Sequence, residues 1–212
     1  MAINAVIFDF GGVILTSPFE AFSHHERDNG LPDGFIRGIN ATNPDTNAWA
    51  RLERSEVDLA GFVDLFEAEA RAQGHAIDGS VVLSLLSGEL RPPMVEAVRR
   101  CSERLRTGLL TNNFVSTSRG GELPPPRPDI AEVMALFDVV VESSAAGIRK
   151  PDPRIYELVC DKLGIEPAEA VFLDDLGINL KPARAMGMTT IKVVDPGDAL
   201  RELETAVGFP LT

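Results

Sequence analysis

The chain has 212 residues, 44% of them apolar, and its 32 acidic against 20 basic residues give a formal net charge of -12. That length can bury one ordinary core, or a core with a small satellite domain. The acidic balance and the lack of a basic stripe argue against a nucleic-acid partner, and no apolar run approaches the ~18 residues that a membrane span needs. No basic leader region or small-residue cleavage site precedes Asp9, so the expected location is the cytoplasm. Cys101 and Cys160 stand far apart among leucines and valines, outside any CxxC pattern, which predicts two buried free thiols.

In chain order, Ala5 to Phe10 is a continuous apolar run that ends around Asp9 and is followed by Gly11-Gly12, the pattern of a buried strand delivering a carboxylate to its C-terminal end. From about Thr16 to Gly88 the pattern is helical with no convincing strand, most clearly over Ala60 to Ala72, where Phe62, Val63, Leu65, Phe66 and Ala70 share a face. Breaker-rich edges at Thr16-Ser17-Pro18 and Gly88 to Pro93 mark this block as an insertion. The expected organisation is therefore a core of residues 1–15 and 90–212 with a helical cap at 16–89.

Beyond the insertion, helical spacing over Met94 to Leu105 leads to a short strand at Thr107 to Thr111. Ser116 to Asp129, with Gly120-Gly121 and three consecutive prolines, reads as a long loop. A helix at Ile130 to Leu136 and a strand at Val139 to Glu142 follow. The next helix opens at Pro151 and Pro153 and runs to Leu163, with Gly164 as its cap. Ala170 to Leu173 is a strand ending in Asp174-Asp175, Asn179 to Met186 a helix, Thr189 to Val194 a strand and Asp198 to Val207 a last helix. This alternation predicts an α/β, doubly wound, Rossmann-like parallel sheet.

Four short patterns fall at predicted strand ends: FDFGGV around Asp9, LLTNN around Thr111, GIRKPDPRIY around Lys150 and FLDDLGINLKPA around Asp174 and Asp175. Singly, each is ordinary cap or turn chemistry. In an open parallel sheet they converge on one edge, where three carboxylates repel unless protons or a cation intervene. A hard divalent ion with oxygen ligands answers that, and Mg²⁺ suits a site with few carboxylates.

The order and wording of these patterns resemble the haloacid dehalogenase superfamily. The run from Val139 to Phe209 is similar to the phosphatase domain of bifunctional epoxide hydrolases and to the hydrolase-like domain of a multidomain acyl-CoA dehydrogenase. The resemblance implies a Mg²⁺-dependent hydrolase of a small phosphorylated metabolite. Asp9 would be the nucleophile, and the metal would sit on Asp9, the backbone carbonyl of Gly11 and Asp175, with Asp174 in support. Thr111, the amide of Asn112 and Lys150 would receive the phosphoryl oxygens.

The family's phosphatases usually carry a second aspartate, an acid/base, two residues after the nucleophile; here Gly11 stands in its place. The metal's carbonyl ligand survives and the acid/base does not, which favours substrates with good leaving groups. Glu20, His24 and His25, on the entering insertion segment, are the candidate replacements, or else solvated helix residues. Phe19, Phe22, Trp49, Phe62 and Phe66 either pack the insertion's own interior or line an apolar acceptor pocket. Two other functions stay open: a regulatory module that binds phosphate and Mg²⁺ without turnover, and a metal-independent dehalogenase.

Overall fold

The computed structural model describes residues 2–86, 88–113 and 127–211. Most of the Pro-rich loop expected at 116–129 lies outside them. The core is a five-stranded parallel sheet in the order β3-β2-β1-β4-β5. Its strands are β1 (Ala5–Phe8), β2 (Arg106–Thr111), β3 (Val139–Glu142), β4 (Ala170–Asp174) and β5 (Thr189–Lys192). Phe8 is in register with Leu109 of β2 on one side and Leu173 of β4 on the other. β1 is therefore central, and the strand order reverses beside it, where open α/β sheets form a crevice at their C-terminal edge.

Successive residues of a strand point to opposite faces, so both faces of β1 must be covered. Val6 and Phe8 pack with Met94, Val98 and Cys101 of α6 (Pro92–Ser102), Val133 of α7 (Pro128–Met134) and Leu203 of α11 (Pro196–Val207). Ala5 and Ile7 pack on the other face with Ile155, Tyr156 and Val159 of α9 (Pro153–Leu163) and Leu180 and Ala183 of α10 (Gly177–Ala185). The result is three layers, with both cysteines buried and unpaired as expected. Among the described residues no helix is long and apolar enough to cross a membrane.

Between β1 and α6 the chain forms five helices: α1 (Pro18–Asp28), α2 (Phe35–Ala41), α3 (Ala48–Glu53), α4 (Leu59–Ala72) and α5 (Gly79–Ser84). They enclose a separate apolar cluster around Trp49, Phe62 and Phe66. Trp49 lies 4.7 Å edge-on from Phe62, and Phe62 stacks on Phe66 at 5.4 Å. Phe62 and Phe66 are fully buried and Trp49 nearly so, which is interior packing and no ligand surface. Four of the five helices start on a Ser, Asn or Asp whose side chain accepts from the first turn, and Glu26 serves the remaining one by accepting from the amides of Gly34 and Ile36 at 2.8 Å each.

The two segments that join this block to the sheet run side by side. Leu15 bridges to Leu90, the Thr16 amide donates to Glu89 O at 2.8 Å, and the Arg91 amide donates to Ile14 O at 2.8 Å. Gly88 permits the approach, since a Cβ there would stand 2.9 Å from Thr16 O.

Candidate active site

The site begins where β1 ends. Asp9 leaves the sheet with its amide donating to Leu173 O at 2.9 Å, and its own Oδ1 accepts from the Phe10 amide at 2.7 Å. The next residues, Phe10–Ile14, form a wide turn whose centre is not helical. Gly12 adopts φ +79 there, and a Cβ on it would meet Asp175 Oδ2 at 2.4 Å. Glycine at 12 is thus what lets the turn lie against Asp175. Gly11 has an ordinary φ of -70, and a Cβ on it would meet nothing within 4 Å among the described residues.

Lys150 comes from the segment between α8 (Ser143–Ala146) and α9 and is 99% buried. Its Nζ lies 2.8 Å from Asp9 Oδ1 and 2.6 Å from Asp174 Oδ2. The lysine backbone is held from both sides by Asn112, whose Oδ1 accepts from the Lys150 amide at 2.9 Å and whose Nδ2 donates to Lys150 O at 3.0 Å. The Asn112 side chain is thereby committed to positioning the lysine.

Thr111 ends β2 in a buried position, paired in register with Glu142. Asn113 is tied to the same neighbouring segment: its amide donates to Ser143 Oγ at 3.0 Å, and Ser144 Oγ donates to its Oδ1 at 3.0 Å.

Asp174 is fully enclosed at the end of β4. It accepts from Lys150, from the Leu176 amide at 2.8 Å and from Asn179 Nδ2 at 3.0 and 3.1 Å. Tyr156, buried on α9, donates its hydroxyl to Asn179 O at 2.7 Å and so steadies that donor. Asn179 and Tyr156 are partners that sequence reading missed; the signal available was an Asn five residues beyond Asp174, at the start of the next helix.

Asp9, Asp174 and Asp175 each bring a carboxylate oxygen to within 4.8 Å of the others. Three carboxylates face one ammonium, which leaves an excess of negative charge when all three are ionised. Burial raises the Asp9 carboxyl to about 7 against the pull of Lys150, with Asp174 and Asp175 adding to the rise. Asp175 is raised to about 6, again chiefly by burial and then by Asp174. This oxygen set, with its uncompensated charge, fits a hard divalent cation. Asp9 and Asp175 are the carboxylates not already saturated by donors.

Of the candidate replacement acids, the two histidines make local contacts around α1. His24 pairs with Arg27 at 2.9 Å and His25 with Asn29 at 3.3 Å, both within or just after α1. The Glu20 side chain lies outside the described residues.

Comparison with known proteins agrees with this geometry. A sequence model of the family described as haloacid dehalogenase-like hydrolase matches residues 3–187. The chain is 39% identical over 214 residues to acyl-CoA dehydrogenase family member 10 of Mus musculus, covering 98% of this chain and 19% of that protein. It is 33% identical over 225 residues to bifunctional epoxide hydrolase 2 of Sus scrofa, covering 100% of this chain and 40% of the relative. The chain thus spans well under half of these relatives. Phosphatase MT3486 of Mycobacterium tuberculosis is 29% identical over 89% of this chain and 86% of its own length.

Among solved structures, a HAD family enzyme of Bacteroides thetaiotaomicron in complex with magnesium and inorganic phosphate shares the fold. It has a TM-score of 0.60 and 20% identity over 90% of this chain and 94% of that one. The strand-end aspartates, the lysine between them and a family match that covers the helical insertion and four of the five strands place the chain in the haloacid dehalogenase-like hydrolases.

Proposed function

We propose that this hydrolase is a Mg²⁺-dependent phosphatase acting on a small phosphorylated metabolite through a phosphorylated Asp9, with residues 16–89 serving as a cap over the site. The observation that carries the reading is the arrangement of Asp9: a buried carboxylate at the sheet's switch point, oriented through Oδ1 by Lys150 and the Phe10 amide. Both donors take the same oxygen, which leaves Oδ2 for attack. Phosphatase MT3486 and the magnesium- and phosphate-bound relative support the same class.

Asp9, the Gly11 carbonyl and Asp175 would hold Mg²⁺, which when bound supplies positive charge beside the phosphoryl oxygens. The residues of the chain do the rest. Asp9 Oδ2 forms a bond to phosphorus as the ester P–O bond breaks, and the electron pair leaves on the ester oxygen. Lys150, Thr111 and the backbone amide of Asn112 receive the phosphoryl oxygens, placing donors where negative charge concentrates. Asp174, its oxygens already accepting from Lys150, the Leu176 amide and Asn179, keeps Lys150 aligned. Water then attacks phosphorus and releases Asp9.

Gly11 sets the substrate preference. Without a side chain at 11, the departing oxygen leaves unprotonated, so aryl and acyl phosphates are cleaved well and alkyl phosphates poorly. The expected result is that Asp9→Asn retains the fold and loses at least about 10⁴-fold of wild-type turnover on an aryl phosphate with Mg²⁺, the scale seen when a nucleophile is removed. Unchanged hydrolysis in that variant would reject Asp9 as the nucleophile.

A further inference from the structure

One ion pair crosses from the helical insertion to the segment that presents Lys150. Arg149 Nε lies 2.7 Å from Glu53 Oε2, and both side chains are more than four-fifths buried. Glu53 is the last residue of α3, and Arg149 directly precedes the catalytic lysine. Among the described residues neither Arg149 Nε nor Glu53 Oε2 has a hydrogen-bond partner, so the contact is one of charge rather than of an aligned N–H and oxygen.

Two more contacts join the same two regions. Arg149 Nη1 donates to Pro44 O at 3.1 Å, and Ser55 Oγ donates to Ser144 O at 3.2 Å. Residues 44, 53 and 55 of the insertion thus all seat on 144–149. The segment that receives them is itself bound to the strand-end residues of β2, through Asn112 on Lys150 and through Asn113 on Ser143 and Ser144.

The placement has a mechanical meaning. The covalent linkers join the insertion to the core around Leu15 and Leu90, on the Asp9 side. Linkers alone would let it pivot there. The second attachment is to the segment that presents Lys150, whose ammonium lies 2.8 Å from Asp9. Burial holds the Glu53 carboxyl above its ordinary range, although the charges of Arg149 and Lys150 pull it down. Nothing in the chemistry derived above uses Glu53 or Arg149.

We infer that the Glu53–Arg149 pair is a positioning device, docking α3 on the 144–149 segment so that the Lys150 ammonium is aligned between Asp9 and Asp174 when the insertion is seated. The inference rests on the phosphatase reading for its kinetic consequence, and on geometry alone for the coupling. Neither residue touches the reacting atoms.

The test is a double-mutant cycle on the full chain, with Mg²⁺ and an aryl phosphate. Glu53→Gln and Arg149→Ala should each lower kcat by about 10- to 100-fold with KM little changed, the scale of a misaligned catalytic group. The double variant should lose no more than either single one, because the two residues act as a unit. Arg149→Lys, which keeps the charge, should recover most of kcat.

Additive losses, an effect confined to KM, or a lowered melting temperature with unchanged kcat would each overturn the inference. If the wild-type chain hydrolyses no phosphate ester, the phosphatase reading fails separately, and the coupling is judged by hydrogen exchange. Faster exchange at 143–150 in Glu53→Gln supports it; unchanged exchange there overturns it.

Discussion

The C-terminal edge of the sheet and the interior of the helical insertion are both buried, yet they are built on opposite terms. At the sheet edge a polar set is enclosed and heavily cross-bonded: Lys150 between two carboxylates, Asp174 accepting from three residues, and Asn112 fixing the lysine backbone. Inside the insertion the buried groups are mainly rings and aliphatic chains, and Trp49 Nε1 is buried with no partner. A buried charge is costly unless its geometry is fixed, so the edge is specific and intolerant. An apolar cluster tolerates change as long as volume is kept.

Substitutions at the edge should therefore act on turnover as well as stability, and those in the apolar interior of the insertion on stability alone. The largest effect after loss of Asp9 is expected for Lys150→Met. It leaves Asp9 and Asp174 without their shared counter-charge, so turnover should fall by about 10³-fold and stability by about 3–5 kcal/mol, measured by denaturant titration with and without Mg²⁺. Unchanged stability would mean that the carboxylates are already protonated in the resting protein.

Gly11→Asp comes next and runs the other way. The site at 11 is open and its φ ordinary, so the variant should fold like wild type. Hydrolysis of alkyl phosphates should rise by about 10²-fold, the lower end for a positioned acid/base. If a series of leaving groups already gives flat rates in the wild-type protein, another group supplies the proton.

Phe66→Ala should affect activity least. Emptying that fully buried position should cost about 3–5 kcal/mol of stability, read from the melting curve, while kcat on a small aryl phosphate changes by less than about threefold below the transition. A selective loss of kcat would show that the ring cluster reaches the site.

Much of the core was legible in sequence because its signals are local. An apolar run ending in Asp9, and another ending in Asp174-Asp175, need only the parallel sheet to bring them together. Gly164 closes α9 at φ +64, as a glycine after a helix predicts. The insertion was legible as a helical block, and among its described helices α1 and α4 run to 11 and 14 residues while α2, α3 and α5 have six or seven each.

What stayed hidden depends on distant residues meeting. Asn179 matters through Asp174, Tyr156 through Asn179, and Arg149 through a glutamate in the inserted block. The Asn112 amide was expected to meet the phosphoryl group; that its side chain is taken up by the Lys150 backbone could not be read from the sequence.

The central claim is that the carboxylate cluster hydrolyses phosphate esters with the help of a divalent cation, and the most direct measurement is aryl-phosphate hydrolysis across a Mg²⁺ titration with a chelator control. The account predicts turnover that is lost on chelation, returns with Mg²⁺ and is missing from Asp9→Asn. Hydrolysis that survives chelation would contradict it, as would chelator-resistant halide release from a 2-haloacid.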